Sequence, residues 1–233
     1  MEFKVYGHSG KPILVFPSSG GSFFEYEDFG MIEACKDFID AGRVRFFTPD
    51  SIDSESWLNT AASNGHKNYM HDRYENYILH EFLPTVHHLS GWREQMITTG
   101  CSMGGYHALN FYLKYPDIFD TTIAQSGIYD VRFFTGGNMD DGVYFNSPVD
   151  YLKNLSDPEY LERYRRGNII ISTGQGRWEE MTIRDTQEME RILNEKQVPA
   201  WVDFWGFDVD HDWPWWRVQM PHFLANLVQN GKI

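Results

Sequence analysis

Six residues, Gly100-Cys101-Ser102-Met103-Gly104-Gly105, separate a β-like run at 93–99 from a run with helical spacing at 106–113. A strand that becomes a helix this quickly needs a sharp turn. Gly100 and Gly104 stand where a Cβ would meet the neighbouring backbone. A Gly-x-Ser-x-Gly turn between strand and helix is a nucleophile elbow. It lifts the Ser102 hydroxyl proud of the sheet, at the N-terminus of a helix whose dipole favours a developing anion. The pentapeptide carries weight here because the strand precedes it and the helix follows it.

The same order recurs along the chain. Strand-like runs at 3–6, 13–16, 44–48, 96–99, 119–124, 168–172 and 200–205 alternate with helical ones. This pattern predicts an α/β class, a mostly parallel central sheet with helices on both faces. Met31, Cys35 and Phe38 recur at helical spacing, as do Ile32 and Ile39, and Gly42 closes that helix. A long helix is expected over 67–89, with Tyr74, Ile78, Phe82 and Val86 on one face and a kink at Pro84. Further helices are expected over 182–196 and 216–227. No repeat or linker divides the chain, so residues 1–233 read as one domain. An aromatic-rich excursion at about 128–167 is either a short cap over the site or a surface loop.

The formal net charge of −13 disfavours nucleic acid and anionic membranes as partners, since both call for basic patches. No apolar run approaches the roughly 20 residues of a membrane span, and the N-terminus lacks a signal-peptide core. The two cysteines, Cys35 and Cys101, read as free thiols of a reducing compartment, so a cytoplasmic location is expected. Cys101 is a poor nucleophile candidate, because shifting the elbow by one residue moves the glycines off their positions. No cluster has metal-ligand spacing, so neither metal nor cofactor is expected. The expected partner is a small-molecule substrate, and the oligomeric state is left open.

A nucleophilic serine needs a histidine, an acid to orient it, and oxyanion donors. His211 falls in the loop after the last strand and is the candidate base, while His222 lies inside the terminal helix. The acid should follow the strand at 168–172, where Glu179 and Glu180 are the first carboxylates. Glu179 is preferred, and Glu180, Asp208, Asp210 and Asp185 are the alternatives. One oxyanion donor is the Met103 N–H. The other should come from the loop after the strand at 13–16, where Ser18 and Ser19 are candidates. The aromatic run of Trp213, Trp215 and Trp216 is either a stacking platform or packing for the terminal helix.

Four stretches carry a resemblance to a known family. They are Val15-Phe16-Pro17-Ser18-Ser19-Gly20-Gly21 with Glu27-Asp28-Phe29-Gly30-Met31; Asp50-Ser51-Ile52-Asp53-Ser54-Glu55-Ser56-Trp57; the elbow; and Gly174-Gln175-Gly176-Arg177-Trp178-Glu179 with His211-Asp212-Trp213-Pro214-Trp215-Trp216-Arg217. Together they resemble the putative-esterase family of α/β-hydrolases, related to S-formylglutathione hydrolases, feruloyl and acetyl-carbohydrate esterases and mycolyltransferases. The resemblance implies the α/β-hydrolase fold and a serine carboxylic ester hydrolase with Ser102, His211 and a carboxylate after Gly174. The glutamate of the mycolyltransferase branch favours Glu179. The chain departs from the pattern at Arg177, where many relatives have aspartate, and begins about one strand later than full-length relatives. The expected activity is hydrolysis of short-chain acyl esters, of sugar or aryl alcohols, through an acyl-enzyme. An acyltransferase with the same residues and a non-catalytic interaction protein are the alternatives.

Overall fold

A computed structural model describes residues 1–233. Its strands are β1 (Phe3–Tyr6), β2 (Lys11–Phe16), β3 (Val44–Pro49), β4 (Met96–Cys101), β5 (Phe119–Gln125), β6 (Asn168–Thr173) and β7 (Trp201–Phe204). They form one sheet in the order β1-β3-β2-β4-β5-β6-β7. β1 runs antiparallel to β3, and every other pairing is parallel. The helices are α1 (Glu25–Asp28), α2 (Met31–Ala34), α3 (Lys36–Asp40), α4 (Asn64–Tyr77), α5 (Leu83–Ser90), α6 (Met103–Lys114), α7 (Asp141–Tyr144), α8 (Pro148–Asn154), α9 (Pro158–Arg166), α10 (Glu180–Glu195) and α11 (Trp213–Gln229).

Successive residues of the inner strands enter opposite cores. Ile13, Val15, Ile123 and Ile170 pack under α1–α3 and α11, whereas Leu14, Phe16, Ala124 and Ile171 pack under α4–α6 and α8–α10. With both faces covered, a strand has no solvent-facing side, which is why these segments show no alternation of apolar and charged residues. No helix is long and apolar enough to cross a membrane.

Two helices differ from expectation. The one anticipated from Met31 to Gly42 breaks at Cys35, whose φ of −95° and ψ of 6° leave helical geometry. Met31, Cys35 and Ile39 still reach the core. The long helix of 67–89 is unbroken along the chain but contains a π-helical turn, Ile78–Phe82, just before α5. Pro84 has no N–H to offer the His80 carbonyl, and the wider turn absorbs that mismatch. Tyr74, Ile78, Phe82 and Val86 all stay buried.

The segment at 128–167 is built rather than loose. It contains a 3₁₀ turn, Val131–Thr135, and α7 to α9. Lys67 Nζ donates to the Phe134 carbonyl (2.7 Å) and Tyr106 to the Asn146 carbonyl (2.9 Å), which ties it to α4 and α6.

The chain leaves β2 toward β3 on one side and later enters β4 on the other side of β2. Loops beyond the C-terminal ends of β2 and β4 therefore diverge and open a crevice, the place where open α/β sheets bind ligands. Ser102 and residues 17–22 stand at that switch point.

Candidate active site

Ser102 joins β4 to α6 with φ 57° and ψ −118°. Its N–H donates to the Gln125 carbonyl at 2.9 Å, which anchors the turn to β5. A Cβ on Gly100 would lie 2.4 Å from the Gly104 backbone, and one on Gly104 would lie 2.1 Å from the Phe16 carbonyl oxygen. The two glycines thus allow the turn itself and the approach of β2 to it. Cys101 is fully buried, and burial holds its thiol well above the ordinary range. It is a core thiol, not a competing nucleophile.

Three sequence-predicted residues come together. His211 Nε2 lies 2.9 Å from Ser102 Oγ, and His211 Nδ1 lies 3.1 Å from Glu179 Oε2. Glu179 is fully buried. Its Oε1 accepts from Ser126 Oγ (2.7 Å) and Gly174 N–H (3.2 Å), and the Thr173 and Thr182 hydroxyls approach Oε2. Burial pushes this carboxyl up, but hydrogen bonds and attraction from His211, then Thr182 and Ser126, bring it below its ordinary value. An ionised carboxylate only accepts, so the Nδ1 of a neutral His211 carries the proton and Nε2 presents its lone pair to Ser102.

The acid loop and the histidine loop are stitched together. Gly176 N–H donates to the Val209 carbonyl (2.9 Å) and His211 N–H to the Arg177 carbonyl (3.0 Å). A Cβ on Gly174 would sit 2.1 Å from the Val209 oxygen. Arg177 grips Asp210 through its backbone N–H (2.8 Å) and guanidinium (2.8 and 2.6 Å). Asp210 is therefore committed to Arg177. Glu180 and Asp208 are exposed, and the buried Asp185 accepts the Tyr129 and Asp130 N–H groups (2.9 and 3.0 Å). None of these carboxylates bonds to His211. His222 is exposed beside the rings of Trp201 and Trp205.

One residue of the site, Ser126, was missed, and so was the bond that Trp216 makes to it. Trp216 Nε1–H donates to Ser126 Oγ (3.1 Å), and its ring meets His211 edge-on with centroids 5.0 Å apart. Ser126 follows β5 directly, at the level Ser102 occupies after β4, and that position is the signal that could have found it. Trp213 is buried and stacks on Phe29 (4.7 Å). Packing, not a ligand platform, describes Trp213 and Trp216.

Met103 is the first residue of α6, where an N–H has no intrahelical acceptor. The loop after β2 corrects one expectation. Ser18 donates its N–H to Glu25 Oε1 (2.6 Å) and its hydroxyl to Glu25 Oε2 (2.9 Å), so it has no donor left to offer. Of the two serines, only Ser19 keeps an N–H without an intrachain acceptor.

The chain matches the family model described as putative esterase over residues 19–227. No curated protein is significantly similar in sequence. Among solved structures it is similar to a ferulic acid esterase, with TM-score 0.74, 18% identity, and coverage of 95% of this chain and 86% of that one. It is also similar to an S-formylglutathione hydrolase (FrmB) of Staphylococcus aureus (TM-score 0.70, 18% identity, coverage 97% and 83%). A third is MPT51 (FbpC1) of Mycobacterium tuberculosis (TM-score 0.65, 14% identity, coverage 97% and 91%). At these identities the likeness bears on the fold, which is that of the α/β-hydrolases.

Proposed function

The chain belongs to the putative esterase family, and from that premise we propose how this serine ester hydrolase works. Ser102 Oγ attacks the ester carbonyl while His211 Nε2 takes its proton. Glu179 steadies the resulting imidazolium. The carbonyl oxygen gains charge and is held by the N–H groups of Met103 and Ser19. When the tetrahedral adduct collapses, His211 returns the proton to the departing alcohol and an acyl-enzyme remains. Water then attacks, giving its proton to His211, and the acid leaves as Ser102 recovers a proton. What carries this reading is the unbroken relay from Ser102 through His211 to Glu179, with links of 2.9 and 3.1 Å.

The substrate class we propose is short acyl esters, acetyl to about butyryl, of aryl or sugar alcohols. One compact α/β unit leaves little surface to bury a long tail. Trp178, in the acid loop beside Glu179, is 68% exposed and offers an aromatic face at the rim.

A fluorophosphonate probe and a p-nitrophenyl ester series test both parts. The probe should label the wild type at Ser102 and spare Ser102→Ala, whose kcat should fall at least about a thousandfold. Within the series, kcat/KM should decline beyond about four acyl carbons, by up to about tenfold per badly fitted methylene. Labelling of Ser102→Ala would refute the nucleophile, and a preference for about eight carbons or more would refute the substrate class.

A further inference from the structure

The loop that carries Ser19 has little to hold it. Ser19 and Gly20 are exposed, and Gly20 sits at φ 72° with nothing within 4 Å of where a Cβ would be. Within the loop, the Gly21 N–H donates to the Ser18 carbonyl (2.9 Å). The strongest restraint comes from outside it. Glu25 folds back from the start of α1 and takes both donors of Ser18, the N–H at 2.6 Å and the hydroxyl at 2.9 Å. Glu25 is 4% exposed. The approach depends on a glycine at position 21, where a Cβ would fall 1.7 Å from Glu25 Oε2. On its other side the loop is fixed by Gly104, which lets the Phe16 and Pro17 carbonyls lie against the first turn of α6.

A carboxyl removed from water is costly unless its hydrogen bonds repay the desolvation. Burial pushes Glu25 up to about 7 despite both bonds from Ser18. A surface glutamate beside Phe24 would carry no such penalty, so the inward position calls for a reason.

We propose that Glu25 is a positioning residue for the reaction. By clamping Ser18 it fixes the next peptide unit, so that the Ser19 N–H is aimed beside the Met103 N–H before the ester arrives. The inference rests on the serine-esterase reading above. An oxyanion donor helps in proportion to its preorganisation, because a group that must turn into place during the reaction returns little of its binding energy. Losing one such donor typically lowers kcat by about 10²–10³. Loosening it should cost less than deleting it.

The test compares Glu25→Ala, Glu25→Met and Glu25→Gln on p-nitrophenyl acetate. Glutamine keeps an acceptor for the Ser18 N–H and can donate to its hydroxyl. Alanine and methionine remove the clamp, and methionine also fills the vacated space, so it remains informative if alanine unfolds. The clamp-less variants should lose roughly tenfold to a hundredfold in kcat with KM within about threefold. They should also bind a trifluoromethyl ketone, whose hemiketal oxyanion uses the same donors, more weakly by a similar factor. Glutamine should stay within about threefold of wild type. A folded Glu25→Met with wild-type kcat overturns the proposal, and so does a glutamine variant as impaired as methionine. Ser102→Ala, run alongside, separates the two levels: if it remains active, the esterase reading fails and not merely the clamp.

Discussion

Replacing Glu179 by glutamine changes one oxygen to an amide nitrogen in a fully buried cage. The cage supplies donors on both sides: His211 Nδ1–H at Oε2, and Ser126 Oγ with the Gly174 N–H at Oε1. A carboxylate accepts all of them, whereas an amide accepts on one side only. If its oxygen faces Ser126 and Gly174, its NH₂ meets Nδ1–H donor to donor. The imidazole relieves the clash by moving its proton to Nε2, which leaves no lone pair for Ser102. The reversed amide sets its NH₂ against the Gly174 N–H, a backbone donor that cannot turn away, and takes from the Ser126 hydroxyl proton its acceptor. A buried donor left without an acceptor costs about 1–3 kcal/mol, so the first orientation prevails. Wrong tautomer and lost imidazolium stabilisation together should lower kcat by about 10³–10⁴. That corresponds to about 4–5.5 kcal/mol in the barrier. Steady-state hydrolysis of p-nitrophenyl acetate measures it, and ¹⁵N NMR of His211 reports the tautomer. The exposed Glu180→Gln is the control and should stay within about twofold. A Glu179→Gln enzyme keeping more than about a tenth of wild-type kcat, or an imidazole still protonated on Nδ1, would refute the reasoning.

Trp216→Phe keeps an aromatic edge against His211 but deletes the hydrogen bond to Ser126 Oγ, worth about 1 kcal/mol. Its kcat should fall about three- to tenfold with KM little changed, and unaltered kinetics would free Ser126 from Trp216. Glu25 also predicts a pH effect on stability. Its carboxyl is raised from 4.5 to about 7 on folding, so the native state keeps this proton longer than the unfolded chain. The contribution of Glu25 is therefore most favourable at low pH and declines as pH rises from about 4.5 to 7, levelling off above. The stability of Glu25→Gln relative to wild type should accordingly rise by about 2–4 kcal/mol between pH 4.5 and 7.5. Thermal unfolding at the two pH values measures it, and a constant difference would show that the carboxyl bears no burial penalty.

The sheet was legible because its inner strands are short runs of apolar and threonine residues, buried on both faces, that end at glycines and turns. The elbow was legible because Gly100 and Gly104 are sterically required, and a steric requirement leaves a local pattern. The antiparallel direction of β1 was not, since four residues with half-buried side chains carry no sign of orientation. The break at Cys35 was hidden because Met31, Cys35 and Ile39 reach the core either way, so helical spacing survives the interruption. The clamp on Ser18 left no trace. Glu25 reads as an ordinary acidic residue in a first turn, and only the fold of the preceding loop buries it. The tryptophan run was ambiguous for a related reason. Spacing says which rings share a face, but not that one indole N–H meets a serine ninety residues earlier.

The backbone of Ser102 has an evolutionary consequence. At φ 57° and ψ −118° it lies outside even the left-handed helical well, a position costing any residue with a β-carbon about 1–3 kcal/mol. Glycine would relax it, so for folding alone serine is the wrong choice here. Threonine carries the same hydroxyl, but its branched β-carbon tolerates this conformation still less. Chemistry and conformation together therefore narrow the position to a small nucleophile on an unbranched β-carbon. In a lineage that no longer needed turnover, random substitution would find a more stable protein by surrendering this serine. On the proposed mechanism, so unfavourable a pose is a thermodynamic cost that the nucleophile's task accounts for, written into the backbone instead of the side chain.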